Sequence, residues 1–222
     1  MRISVSGENF SNSFSQFMSS VLGTTIRFLV SVIHAKENFK EMKILCIGDS
    51  NTYGYDPKSF FGSRYPAETR WTGRLGGYEV INSGMNGLEI PRNAGVYSDL
   101  IRSNSPDLVL VMLGSNDLLE GADAETAASR MESFISGIQE AGVQILLIAP
   151  PAMQDGEWVR NTELIEESER MGKLYRELAE RTGILFADAG EWNVELTFDG
   201  VHFSPEGHAS FADGLTEVLR DI

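Results

Sequence analysis

Five short apolar runs recur along the chain, each ending at glycine or at a small cluster of polar turn residues: Lys43–Gly48, Tyr78–Asn82, Asp107–Leu113, Val143–Ala149 and Ile184–Ala187. Such nearly continuous runs predict strands buried on both faces. Between them the apolar positions step by three and four. Ala127, Ala128, Met131, Phe134, Ile135, Ile138 and Ala141 predict one amphipathic helix, with Gly142 as its stop signal. Leu164, Ile165, Met171, Leu174, Tyr175 and Leu178 predict a second, followed by Gly183. Ser204-Pro205 supplies an N-cap and a first-turn proline for a last helix reaching about Arg220. Ile90–Arg102 predicts a weaker helix, interrupted by Gly95. Alternating strands and helices predict an α/β fold: a five-stranded parallel sheet between two helix layers, a three-layer α/β/α sandwich.

In such sheets functional groups sit just past the strand C-termini. Gly48-Asp49-Ser50-Asn51-Thr52 follows strand one, Asn82-Ser83-Gly84-Met85-Asn86-Gly87 strand two, Gly114-Ser115-Asn116-Asp117 strand three and Pro150-Pro151 strand four. Asp199-Gly200-Val201-His202 lies on the last loop before the final helix. Converging loops would put a serine nucleophile, a base with its orienter, and polar oxyanion groups in one crevice. Ser50 is the candidate nucleophile and His202 the base, with Asp199 upstream to orient the imidazole. Asn116 offers a side-chain amide to an oxyanion. Asp49 and Asp117 read as supports of their turns. Tyr53, Tyr55 and Trp158 lie on loops near the presumed site and are candidate pocket walls. His208 falls inside the last helix and reads as structural. The chain contains no G-x-S-x-G, no Walker A, no G-x-G-x-x-G and no H-E-x-x-H, so the usual nucleophile elbow, nucleotide binding and zincin chemistry have no support.

Composition narrows the partners. At 42% hydrophobic and 23% charged over 222 residues the chain is ordinary globular protein, not disordered or collagenous. A net charge of −14 repels phosphate backbones and anionic membranes, which argues against nucleic acid. The single cysteine, Cys46, excludes an intrachain disulfide and reads as a small buried hydrophobe. Residues 1–41 carry +1 and the remainder −15, with eight Ser and no Asp in the first stretch. That change at Met42 predicts an N-terminal extension, 1–41, ahead of a domain at 42–222. Arg27 breaks its apolar stretch, so neither a secretory signal nor a membrane span fits. The preferred reading is an upstream extension before a natural start at Met42, with the protein in the cytoplasm.

The four blocks resemble, in order from Met42 onward, those of the SGNH, or GDSL, family of esterases and acylhydrolases. The resemblance implies a flavodoxin-like sandwich and an acyl-enzyme on Ser50. It implies no metal and no organic cofactor. It places the oxyanion hole at the Ser50 and Gly87 N–H groups and Asn116. The family sets the glycine donor five residues after Asn82, which selects Gly87 over Gly84. Arg70-Trp71-Thr72-Gly73 and Ala149-Pro150-Pro151 resemble the arylesterase and acyltransferase branch. That implies a small-molecule ester as substrate: short-chain aryl, acetyl or carbohydrate esters, with transfer to alcohols as a side route and homo-oligomers admissible. The chain departs at Asn51, where many members carry leucine, which puts the pocket lining in question. Two other classes remain open at this level. One is a metal-dependent phosphohydrolase ligated by Asp49, Asp117, Asp199 and His202, although it lacks a basic phosphate clamp. The other is a non-catalytic binding module of the same fold.

Overall fold

Successive side chains of a strand point to opposite faces of a sheet, and the five strands use that period to divide the core in two. The computed structural model describes residues 41–59 and 61–222; the expectations for residues 1–40 lie outside the described residues. The strands are β1 Met42–Gly48, β2 Tyr78–Gly84, β3 Leu108–Met112, β4 Gln144–Ala149 and β5 Leu185–Asp188. They form one sheet in the order β2-β1-β3-β4-β5, and every neighbouring pair is parallel. The helices are α1 Ser50–Tyr53, α2 Trp71–Arg74, α3 Gly95–Asn104, α4 Ser115–Leu119, α5 Ala124–Gln139, α6 Thr162–Thr182 and α7 Pro205–Arg220.

Leu45, Ile47, Val109, Val111, Ile145 and Leu147 point to one face, where they meet Ile101 of α3, Met131, Phe134, Ile135 and Ile138 of α5, and Met171, Tyr175 and Leu178 of α6. Ile44, Cys46, Leu108, Leu110, Met112, Leu146 and Ile148 point to the other, against Trp71 of α2 and Phe211, Ala212, Leu215 and Leu219 of α7. The result is the three-layer α/β/α sandwich expected from the alternation of runs. Cys46 is fully buried, and burial pushes its thiol far above the usual range, so it is inert.

Two helix starts reflect local chemistry. Ser204 Oγ accepts the Gly207 N–H, which caps α7 just before Pro205. The helix expected over Ile90–Arg102 begins only at Gly95. The residues before it are held elsewhere: the Ile90 N–H donates to Asp117, and Asn93 Oδ1 accepts the Gly95 N–H.

The strand order reverses between β1 and β3, both of which flank the sheet's switch point, where crevices form in open α/β sheets. Gly48 aligns with Gly84 on one side and Met112 on the other, so the loops after β1, β2 and β3 leave the sheet together. Helix α1 lies directly on this edge. A Cβ at Gly84 would stand 2.1 Å from the Tyr53 nitrogen, and one at Gly48 would stand 2.0 Å from Thr52 Oγ1 and 2.9 Å from the Met112 oxygen. Gly84→Ala sets a methyl against backbone that cannot rotate aside, so it is expected to cost about 1–3 kcal/mol. Urea denaturation of the purified variant checks this; unchanged stability would show that α1 is free to lift from β2.

Candidate active site

The turn after β1 is fixed from several sides before any reactive group is considered. Asp49 is the N-cap of α1, and its Oδ1 accepts the Asn51 N–H at 2.9 Å. Gly54 closes the helix in the left-handed conformation, with φ 87°. Asn82 Nδ2 donates to the Thr52 carbonyl at 2.6 Å and to Thr72 Oγ1 at 2.9 Å, while its Oδ1 accepts the Gly84 N–H. Trp71 Nε1 donates to the Asn51 carbonyl at 3.0 Å. Ser50 at the head of α1 is buried, and its Oγ lies 2.9 Å from His202 Nε2.

His202 comes from the loop before α7. Its Nδ1 lies 2.7 Å from Asp199 Oδ2, while Asp199 Oδ1 accepts the N–H groups of Val201 and His202, each at 2.9 Å. Burial opposes ionisation of Asp199. The hydrogen bonds from the His202 side chain and backbone and from Val201 outweigh it, and hold the carboxyl down to about 2. Asp49 goes the other way: burial pushes it up to about 6, offset only in part by the Asn51 N–H and the nearby imidazole. The loop is also clamped from behind by residues after β4. The N–H groups of Gln154 and Trp158 donate to the Gly200 and Asp199 carbonyls at 3.0 and 3.1 Å, and that of Glu157 to the Phe198 carbonyl at 3.1 Å. Gly200 has φ 81°, and a Cβ there would stand 2.1 Å from the Gln154 oxygen, so this glycine is required twice over.

Asn116 is tied to the residue that follows Gly87. Asn116 Nδ2 donates one proton to the Leu88 carbonyl at 3.1 Å, leaving its second amide proton uncommitted among the described hydrogen bonds. The Ile90 N–H donates to Asp117 Oδ2 at 2.9 Å, and Asp117 Oδ1 pairs with Arg130 at 2.7 Å. The turn after β3 therefore holds the loop after β2 just beyond Gly87. Gly87 itself has φ 70°, and a Cβ added there would meet nothing within 4 Å, so its backbone borders open space. Among the described hydrogen bonds neither the Gly87 nor the Ser50 N–H has a protein acceptor.

Of the three expected pocket walls, two touch His202. The Tyr55 ring centroid lies 4.8 Å from that of His202, and Trp158 meets the same ring edge-on at 5.0 Å while remaining 52% exposed. The Tyr53 ring is instead covered by the Arg64 guanidinium at 4.2 Å. Asn51 is not a lining residue. It is 4% exposed, with Nδ2 donating to the Val201 carbonyl at 3.1 Å and Oδ1 accepting the Phe203 N–H at 2.9 Å. Neither this role nor the clamp at 154–158 is foreseen from the sequence; the one signal there is the departure from leucine at position 51. Asp117, named above as an alternative metal ligand, is ion-paired to Arg130, and among the described residues no group of three or more His, Cys, Asp or Glu is placed to hold a metal ion.

Several known proteins share this architecture. Residues 46–210 match the model of the GDSL-like lipase/acylhydrolase family. An arylesterase from Vibrio mimicus is 25% identical over 196 residues, spanning 80% of this chain and 88% of that protein. The solved structure of a candidate arylesterase from Agrobacterium tumefaciens str. C58 is 31% identical, with a TM-score of 0.71 over 82% of this chain and 99% of that one. A carbohydrate acetylesterase family member from Sinorhizobium meliloti is 28% identical, with a TM-score of 0.71 over 81% of this chain and 98% of that one.

His208 stands apart from the site chemistry. It is 0% exposed on α7, and its Nδ1 accepts the Trp71 N–H at 3.4 Å. Burial, with Arg70 and Arg74 nearby, pushes it down to about 3. The unfolded chain takes up this proton near pH 6.5 and the folded chain only near 3, so stability is lost as pH falls through that window. A His208→Gln variant lacks this loss. Its melting temperature is expected to lie below that of the parent at pH 8, with the gap narrowing toward pH 4; a constant gap in differential scanning calorimetry would refute the assignment.

Proposed function

This chain belongs to the GDSL-like lipase/acylhydrolase family, and from that premise we propose that it hydrolyses short-chain carboxylic esters through an acyl-enzyme on Ser50. The observation that carries the reading is the line Ser50 Oγ, His202, Asp199, with separations of 2.9 and 2.7 Å. Asp199, held ionised, keeps the His202 proton on Nδ1, which leaves the Nε2 lone pair facing Ser50. As Oγ bonds to the ester carbonyl carbon, its proton passes to Nε2, and Asp199 stabilises the imidazolium. The carbonyl oxygen becomes an oxyanion that the N–H groups of Ser50 and Gly87 and the Asn116 amide receive. Collapse breaks the ester C–O bond, the Nε2 proton goes to the departing alkoxide, and the acyl group stays on Ser50. Water then attacks the acyl carbon and gives a proton to Nε2. The carboxylic acid leaves as Ser50 recovers that proton.

The substrate class follows from what lines the crevice. Tyr55 and Trp158 give His202 an aromatic surround, and the overall negative charge favours neutral substrates. Aryl and acetyl esters, including those of carbohydrates, suit this surround, and the relatives above are an arylesterase and a carbohydrate acetylesterase family member. An alcohol entering in place of water would make the second half-reaction a transfer. The reading assigns the activity to residues 42–222, which hold every residue named here, and retains a cytoplasmic location; no described helix is long and apolar enough to cross a membrane.

Ser50→Ala is expected to abolish labelling by a fluorophosphonate and to lower kcat for 4-nitrophenyl acetate by several orders of magnitude, because a triad acts as a unit. Labelling is expected to survive a chelator. Near-parental turnover by purified Ser50→Ala would sink the mechanism.

Asn116→Ala is expected to lower kcat ~10²–10³-fold with a smaller change in KM, since the donor acts on charge that develops only in the transition state. An effect confined to KM would reassign Asn116 to substrate binding.

A further inference from the structure

We infer that Asn51 is a positioning residue for this reaction: its side chain sets His202 against Ser50 by holding the backbone on both sides of the imidazole. The inference rests on the roles given to Ser50 and His202 above. Nδ2 donates to the Val201 carbonyl at 3.1 Å and Oδ1 accepts the Phe203 N–H at 2.9 Å. Those two groups flank the His202 Cα, so the amide grips the residue before and the residue after the base. One planar group with one donor and one acceptor thus does for a single residue what a neighbouring strand does in a ladder.

The grip is useful because Asn51 is itself immobile. Its N–H is tied to Asp49 and its carbonyl to Trp71 Nε1. The side chain therefore transmits the position of α1 to a loop 150 residues away in sequence. Among the described residues, the only other hydrogen bond between α1 and the 199–203 loop is Ser50 to His202, the bond the reaction must break and remake. The bonds from Gln154 and Trp158 locate the loop relative to the segment after β4, not relative to the nucleophile. Without the amide, the Ser50–His202 bond would be the one hydrogen bond left between α1 and this loop among the described residues. Displacements of about 1 Å at reacting groups cost on the order of 10²-fold in rate.

The test uses the full chain and three variants assayed with 4-nitrophenyl acetate. Asn51→Leu removes both bonds while keeping the number and branching of side-chain heavy atoms. Its kcat is expected to fall ~10–100-fold, with KM within about two-fold because no substrate contact is lost. The fluorophosphonate labelling rate is expected to fall in parallel. Asn51→Asp retains an acceptor for the Phe203 N–H but sets a second carboxylate oxygen against the Val201 carbonyl, so kcat is expected to fall there too. A purely architectural role would lower the melting temperature without moving kcat per labelled site. A folded Asn51→Leu with parental kcat overturns the inference. Should Asn51→Leu not fold, parental kcat in Asn51→Asp overturns it. Ser50→Ala runs alongside: if it remains active, the nucleophile assignment fails; if it is dead while both Asn51 variants keep parental kcat, only the positioning role fails.

Discussion

The seating of a one-turn helix on the ends of two strands is the constraint from which the site follows. Gly48 and Gly84 have no room for a Cβ, so the backbone of α1 lies directly on the sheet edge. That contact leaves the Ser50 N–H at the head of the helix, where an α-helix has no internal acceptor for it. Asn82 and Trp71 then lock the carbonyls of Thr52 and Asn51. A serine hydroxyl, an N–H without a protein acceptor among the described hydrogen bonds and a fixed side-chain amide thereby emerge from four consecutive residues.

The same crevice holds two buried aspartates, and the structure drives them in opposite directions. Asp199 receives three N–H donors, two from backbone and one from the imidazole. Asp49 receives the N–H of Asn51. At Asp49 burial outweighs the single donor and leaves the carboxyl up at about 6, while at Asp199 the donors outweigh a smaller burial cost and leave the carboxyl down at about 2. The balance of donors against burial, more than distance from the serine in sequence, therefore separates the group that orients the imidazole from the group that caps a turn.

Much of this is legible in the sequence because the relevant signals are local. Buried parallel strands read as continuous apolar runs, and observed and expected strand limits differ by one residue at most ends, with β2 running on to Gly84. The polar blocks stand just past those runs, which is where topology collects them. The illegible parts are those whose partners are distant or carry no residue-type signature. The clamp on the 199–203 loop is made by backbone N–H groups of Gln154, Glu157 and Trp158, and almost any side chains at those positions could accompany them. Asn51 reads as a departure in the pocket because the groups it bonds lie 150 residues downstream. Gly95 reads as a break within a helix but is its first residue, since Asp117 and Asn93 hold the chain before it.

The separation of 152 positions between Ser50 and His202 has a consequence for the order of assembly. A chain emerging from the ribosome presents the serine turn first, and both oxyanion candidates soon after, while the proposed base waits for the last loop before the final helix. All neighbouring strands are parallel, so every pairing closes over a long crossover, and such non-local closures are slow steps in folding. A nascent chain stalled before that loop carries the serine without a proton acceptor. Hydrolytic competence is thus a property of the finished fold, acquired in one late event instead of accumulating with length.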